Sequence, residues 1–124
     1  MIEVVAAFIR KNDKFLICQR PEHKVLGLLW EFVGGKVETG ESNEEALKRE
    51  CKEELNVEIS VGEKIADIVY EYPEFIAHLT LYYASIESGE PELLEHNAIM
   101  WINQQEIPEY EFCSADKVIL DSIF

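Results

Sequence analysis

Gly35 to Val57 reads GKVETGESNEEALKRECKEELNV, and a helix is the strongest pattern in it. Ser42 with Glu45 three residues later forms a capping box, in which a hydroxyl and a carboxylate each satisfy a backbone N–H at the helix start. The spacing predicts a helix from Asn43 to about Leu55, closed by Asn56, a residue that tolerates the left-handed conformation of a C-terminal cap. At about 100° per residue, Glu50, Glu53 and Glu54 stand on one face at i, i+3 and i+4. Leu47, Cys51 and Leu55 form the adjacent apolar stripe, and Glu45, Lys48, Arg49 and Lys52 take the other side. The three carboxylates therefore border the face that packs on a sheet. Like charges at this spacing destabilise a helix by a few tenths of a kcal/mol, and partial burial raises the cost. Hard divalent cations, which favour oxygen ligands, offset it. A solvated acidic helix is the competing reading.

Outward from the helix, the chain reads mostly as strands. Ile2 to Arg10 is rich in Val, Ile, Ala and Phe, and after the polar turn Lys11-Asn12-Asp13-Lys14 the stretch Phe15 to Gln19 reads as its hairpin partner. Arg20 to Leu28 is a loop opened by Pro21. Trp30 to Val33 reads as a short strand halted by Gly34-Gly35. Lys64 to Tyr72 and Phe75 to Ile86 read as a hairpin about Pro73-Glu74, and Ala98 to Ile102 as a further strand. Ser114 is the expected cap of a closing helix, Ala115 to about Ile123. Strands, a helix, strands and a helix imply an α/β or α+β layered sheet with helices on its faces. No GxGxxG is present, and the alternation is not that of a doubly wound fold.

The whole chain of 124 residues is the size of one domain, residues 1–124, and its 48 % hydrophobic and 29 % charged residues are a globular composition. No run approaches the ~18 apolar residues of a membrane span. The first residues lack the basic region and cleavage site of a secretory signal, and the three widely spaced cysteines suggest neither a disulfide framework nor a CxxC metal site. A reducing cytoplasm is the expected location. Acidic residues outnumber basic ones 25 to 11, for a net charge of −14. That argues against nucleic acid or an anionic membrane as a partner, since both need a basic face. Phosphate chemistry stays open where cations neutralise both sides.

The spacing of Gly35, Glu41, Arg49-Glu50 and Glu53-Glu54 resembles the Nudix box, G-x5-E-x7-R-E-U-x-E-E-x-G-U with U apolar. Every charged position matches; Asn56 stands in place of the final Gly, which both residues' tolerance of positive φ makes a mild departure. Arg20, Trp30-Glu31-Phe32, Gly34-Gly35-Lys36, His78 to Leu81 and Glu95 six residues before Trp101 look like the MutT branch, although Val33 stands where Pro is common there. The opening residues and Trp30-Glu31-Phe32 also look like the CTP pyrophosphohydrolase subgroup.

The resemblance implies a Nudix fold, a mixed β-sheet sandwiched between α-helices. It implies a nucleoside triphosphate pyrophosphohydrolase, with oxidised dGTP as the expected substrate and CTP, dCTP or 5-methyl-dCTP as the alternative. A nucleotide-binding sensor without activity is the rival from another class. The expected metal is Mg²⁺ or Mn²⁺, held by Glu50, Glu53, Glu54 and the Gly34 carbonyl, with Glu95 as a further ligand. Glu50 and Glu95 are the candidate general bases. Gly35, Glu41 and Arg49 are expected to be structural within the motif. Arg20, Lys36 and His78 are candidate substrate contacts, although for His78 a strand residue satisfying a hydrogen bond is the favoured reading. Asp116 aligns with the position where the MutT type carries an Asn that reads the base; an ionised Asp accepts hydrogen bonds but donates none. An ordinary first-turn helix acid is the plainer account of it. A monomer or homodimer acting on a small nucleotide is the expected assembly.

Overall fold

The computed structural model describes residues 1–124. Its strands are β1 (Ile2–Lys11), β2 (Lys14–Gln19), β3 (Trp30–Glu31), β4 (Val33–Lys36), β5 (Glu58–Glu71), β6 (Ile76–Ser88) and β7 (Ala98–Ile102). Its helices are α1 (Asn43–Leu55) and α2 (Ser114–Ile123), with a 3₁₀ turn at Gln104–Glu109 between β7 and α2. The strands are linked in the order β3-β2-β1-β6-β5, with β4 pairing β1 and β7 pairing β2. β1 runs parallel to β6 and antiparallel to β2 and β4. The mixed sheet expected from the sequence is thus present.

β1 alternates its side chains between the two faces, as a strand must. Val5, Ala7 and Ile9 join Leu47, Cys51 and Leu55 of α1 in one core. Ala6 and Phe8 join Phe15, Phe32, Leu81 and the α2 residues Ile119 and Leu120 in the other. One helix therefore covers each face. Ser42 and Glu45 make the expected capping box on α1, and Asn56 closes it at φ 55°.

Three local readings are corrected, and one short element is added. Trp30 to Val33 is not one strand halted by Gly34-Gly35: the chain changes partners at Phe32, with β3 on β2 and the two glycines inside β4 on β1. A Cβ on Gly34 would overlap the Val5 carbonyl, so the glycine is what lets β4 approach β1. β5 begins at Glu58, not Lys64, because register shifts between Val61 and Ala66 absorb the irregular pattern that hides its first half. Cys113, not Ser114, is the N-cap of α2, and no side chain caps that helix end. The Gln104–Glu109 turn, with its own Asn103–Glu106 capping box, has too short an apolar pattern to stand out in sequence.

Candidate functional site

A cleft of about 340 Å³ opens where β1, β3, β4 and the end of α1 meet the loops after β2 and β6. Glu50 and Glu54 line one wall, with Glu95 beside them. Arg20 and Lys24 from the loop after β2, and Lys36 from the end of β4, bring positive charge to the same cleft. Phe32, Leu79 and Tyr72 supply apolar surface, and Asp116 lies among the lining residues.

The acidic wall follows from how α1 is anchored. Arg49 grips Glu41 with two parallel bonds, from Nε to Oε2 at 2.7 Å and from Nη2 to Oε1 at 3.0 Å. Such forked pairing fixes orientation as well as distance. Arg49 also donates to the Lys36 carbonyl at 3.0 Å and to Glu50 Oε1 at 3.0 Å. One guanidinium thereby ties the loop after β4 to the helix and aims Glu50. Glu50 packs over Gly35: a Cβ there would stand 2.5 Å from Glu50 Oε1. Only a bare backbone leaves room for the carboxylate.

Glu54 is buried, and its Oε2 has no hydrogen-bond partner. Burial, and then the neighbouring carboxylates Glu50, Glu31 and Glu95, push its carboxyl well above the usual range. Glu53 is different. It is exposed, outside the cleft, and its Oε2 sits 3.3 Å from Arg49 Nη1. No three acidic or imidazole side chains converge closely enough to coordinate an ion between them. The residues nonetheless suit a hard divalent cation: an all-oxygen donor set, an unpartnered buried carboxylate oxygen, and a glycine cradle that a Cβ would fill.

Asp116 reaches the cleft because the segment before α2 is bound to β3. Trp30 N–H donates to the Glu111 carbonyl at 2.8 Å, and Cys113 N–H to the Trp30 carbonyl at 2.9 Å. The first turn of α2 then places Asp116 Oδ1 3.0 Å from the Phe32 N–H. Desolvation raises its carboxyl to about 7, the Phe32 hydrogen bond opposing the shift. Burial likewise pushes the Cys51 and Cys113 thiols up to about 12, which leaves them poor nucleophiles at neutral pH.

The structure thus brings together Arg20, Gly34, Gly35, Lys36, Glu50, Glu54, Glu95 and Asp116, and leaves Glu53 and His78 outside. His78 sits on the opposite sheet face from Leu79, held by Glu3 Oε1 at 2.8 Å and Asp67 Oδ1 at 3.1 Å. As a substrate contact it is corrected; it satisfies hydrogen bonds on its strand. Glu31, His96, Tyr72 and Lys24 belong to the cleft but had no assigned role in the sequence reading. For His96 the one available signal was its place directly after Glu95.

Residues 4–122 match the family described as NUDIX domain. The chain belongs to the Nudix family. Among relatives of this Nudix chain, the CTP pyrophosphohydrolase of Escherichia coli (strain K12) is 41 % identical over 122 residues, covering 98 % of this chain and 90 % of that protein. A putative 8-oxo-dGTP diphosphatase 2 of Mycobacterium tuberculosis (strain CDC 1551 / Oshkosh) is 32 % identical, covering 92 % and 82 %. The solution structure of the E. coli ORF135 protein superposes with a TM-score of 0.85 at 41 % identity, over 98 % of this chain and 86 % of that one. A MutT NUDIX hydrolase from Burkholderia pseudomallei superposes with a TM-score of 0.88 at 23 % identity, over 99 % and 98 %, and so shares the fold. The chain takes its place among the MutT-like Nudix hydrolases. No helix in it is long and apolar enough to cross a membrane.

Proposed function

We propose that this Nudix hydrolase cleaves nucleoside triphosphates to a nucleoside monophosphate and pyrophosphate. The observation that carries the reading is the division of one cleft into three chemistries: carboxylates Glu50, Glu54 and Glu95 at one wall, Arg20, Lys24 and Lys36 for phosphate oxygens, and Asp116 with Tyr72, Phe32 and Leu79 for a base. Glu50 and Glu54, with the Gly34 carbonyl and Glu95, would hold Mg²⁺ or Mn²⁺, and Glu53 joins them only by leaving Arg49. When bound, the ion supplies charge neutralisation and a more acidic water.

The chain's own groups do the rest. Arg20 is held by Glu31 at 3.1 Å and by the Val25 carbonyl at 2.9 Å, so its guanidinium is fixed before a phosphate arrives. Fixed donors need little reorganisation as charge develops on phosphate oxygens. Glu50 already accepts from Arg49, whereas Glu95 has no cationic partner and opens to the cleft. That favours Glu95 as the group that takes the proton of the attacking water, a role that needs a free carboxylate facing the cleft. The displacement is in line at phosphorus, with little covalent work for the protein beyond positioning.

The relatives support two base classes. The 8-oxo-dGTP diphosphatase relatives support oxidised guanine. The CTP pyrophosphohydrolase relative supports cytosine, and one contact favours it: Asp116 Oδ1 is already engaged by the Phe32 N–H. The remaining oxygen suits a single exocyclic amine better than the paired donors of a guanine edge. A panel of 8-oxo-dGTP, dGTP, CTP, dCTP and 5-methyl-dCTP, assayed for monophosphate and pyrophosphate with and without Mg²⁺, tests both readings. Metal-dependent release from one class is the expected result. Binding of a nucleotide with no turnover of any would replace the enzyme by a sensor.

A further inference from the structure

His96 is buried between two carboxylates carried by different elements, with 3 % of its side chain exposed. Its Nε2 stands 3.2 Å from Glu31 Oε2 on β3 and 3.5 Å from Glu54 Oε1 on the last turn of α1. The other Glu31 oxygen accepts from Arg20 Nη1 at 3.1 Å. Guanidinium, carboxylate, imidazole and carboxylate therefore run in one line from the loop after β2 to the helix. The segment bearing His96 is stapled in place by its neighbour. Asn97 donates from its backbone to the Gln19 carbonyl at 2.9 Å and from Nδ2 to Gln19 Oε1 at 2.6 Å.

A carboxylate accepts, so the ring nitrogen 3.2 Å from Glu31 Oε2 is the one that carries the hydrogen toward it. His96 Nε2 faces Glu54 Oε1 at ion-pair distance, its hydrogen bond going to Glu31, while Glu54 Oε2 and His96 Nδ1 are buried without a partner. An unsatisfied buried oxygen is costly to keep unless a ligand uses it. Both His96 and Glu54 border the same cleft as Glu50 and Glu95.

We propose that His96 is a positioning residue: by standing against one oxygen of Glu54 it turns the other toward a divalent cation, and through its hydrogen bond to Glu31 it links that carboxylate to Arg20 on the phosphate side. The assignment rests on the metal reading of the cleft given above. It adds a residue that touches neither the substrate nor the ion. Outer partners that orient a metal ligand are worth about 10–100-fold in metal affinity or activity.

The test uses the intact protein with Mn²⁺ alone, titrated calorimetrically, beside steady-state turnover of the best triphosphate. His96→Leu keeps the volume and removes the donor. His96→Gln puts an N–H near the Nε2 position, and His96→Asn falls short of it. Expected are Mn²⁺ binding about tenfold or more weaker in His96→Leu, kcat lower with KM for the nucleotide changed less, and recovery in His96→Gln but not in His96→Asn. If the Leu variant does not fold, the Gln and Asn pair makes the same comparison. Equal Mn²⁺ affinity in wild type and in the Leu or Asn variant overturns the assignment. So does a wild type that binds no Mn²⁺. A wild type that binds Mn²⁺ yet turns over no triphosphate defeats only the proposed reaction, and the Mn²⁺ comparison still decides for or against His96.

Discussion

Adding one methyl group at Gly35 isolates the carboxylate wall from the fold that carries it. A Cβ there would lie 2.5 Å from Glu50 Oε1, 2.6 Å from Cδ and 2.8 Å from Oε2. Ordinary carbon–oxygen contacts are about 3.3 Å or longer, so the carboxylate must retreat by about 1 Å. The obstacle is the far end of a flexible side chain, so Glu50 can rotate away at the expense of its 3.0 Å bond from Arg49. A misplacement of about 1 Å in a reacting constellation costs about 10²-fold in rate. Stability should hardly move. Replacing Gly by Ala within a strand gains about 0.5–1 kcal/mol from chain entropy, and the mostly buried Arg49–Glu50 hydrogen bond that it weakens is worth a similar net amount, about 0.5–1.5 kcal/mol. Gly34→Ala is the control with the opposite sign, because its Cβ would meet backbone, the Val5 carbonyl and the Ala6 Cα at 2.8 Å. Backbone in a paired strand cannot swing aside, and overpacking there costs about 1–3 kcal/mol or more. Pyrophosphate release at saturating Mg²⁺, with thermal melting of both variants, reads the two effects separately. Expected are a Gly35→Ala protein that melts within about 4 °C of wild type with kcat down about 100-fold, and a Gly34→Ala protein that melts clearly earlier. A Gly35→Ala enzyme within threefold of wild-type kcat would show that the position of Glu50 does not limit the reaction.

Three further expectations follow from the same geometry. Glu54→Gln should lower kcat by orders of magnitude while raising the metal-free melting temperature. The folded carboxyl lies above its unfolded value, so wild type loses stability as pH rises above about 4 and through the folded value, a loss that Gln removes; Mg²⁺ should raise the melting point of wild type and not of the variant, and equal shifts in both would remove Glu54 from the ion site. Arg49→Lys should lower the urea midpoint, because an ammonium cannot reproduce the two-bond grip on Glu41 together with the Lys36 carbonyl bond; an unchanged midpoint would refute it. Asp116→Asn should change the ratio of kcat/KM between cytosine and oxidised-guanine triphosphates by tenfold or more with a smaller change in the better kcat. In wild type that ratio should also drift between pH 6 and 8 as a carboxyl near 7 loses its proton and becomes an acceptor only; a ratio that is flat with pH and untouched by the substitution takes Asp116 out of base recognition.

How far the chain could be read in advance depended on the range of the interactions involved. The α1 helix, its capping box, its Asn56 terminus and its apolar stripe were legible because every partner lies within four residues. The β1–β2 hairpin and the turn at Pro73-Glu74 were legible for the same reason. The break at Phe32 was not: whether Gly34 and Gly35 end a strand or let one approach another depends on where β1 lies, more than 25 positions earlier. His78 and Leu79 show the same limit. Adjacent in sequence, they face opposite sides, and only the pairing of β6 with β1 decides which of them meets the cleft.

The sequence by itself determined the family, the helix that carries the carboxylates, and the spacing of Glu41, Arg49, Glu50 and Glu54, since local geometry and a fixed motif suffice for those. Only the tertiary structure decided which carboxylates look into the cleft. It turned Glu54 inward without a partner for Oε2, left Glu53 outside against Arg49, and set His96 between Glu31 and Glu54 from three separate stretches of chain. The reason is that helical spacing fixes the angle between neighbouring side chains, while burial, and with it the charge a carboxylate will bear, is set by whatever the rest of the fold packs against that face.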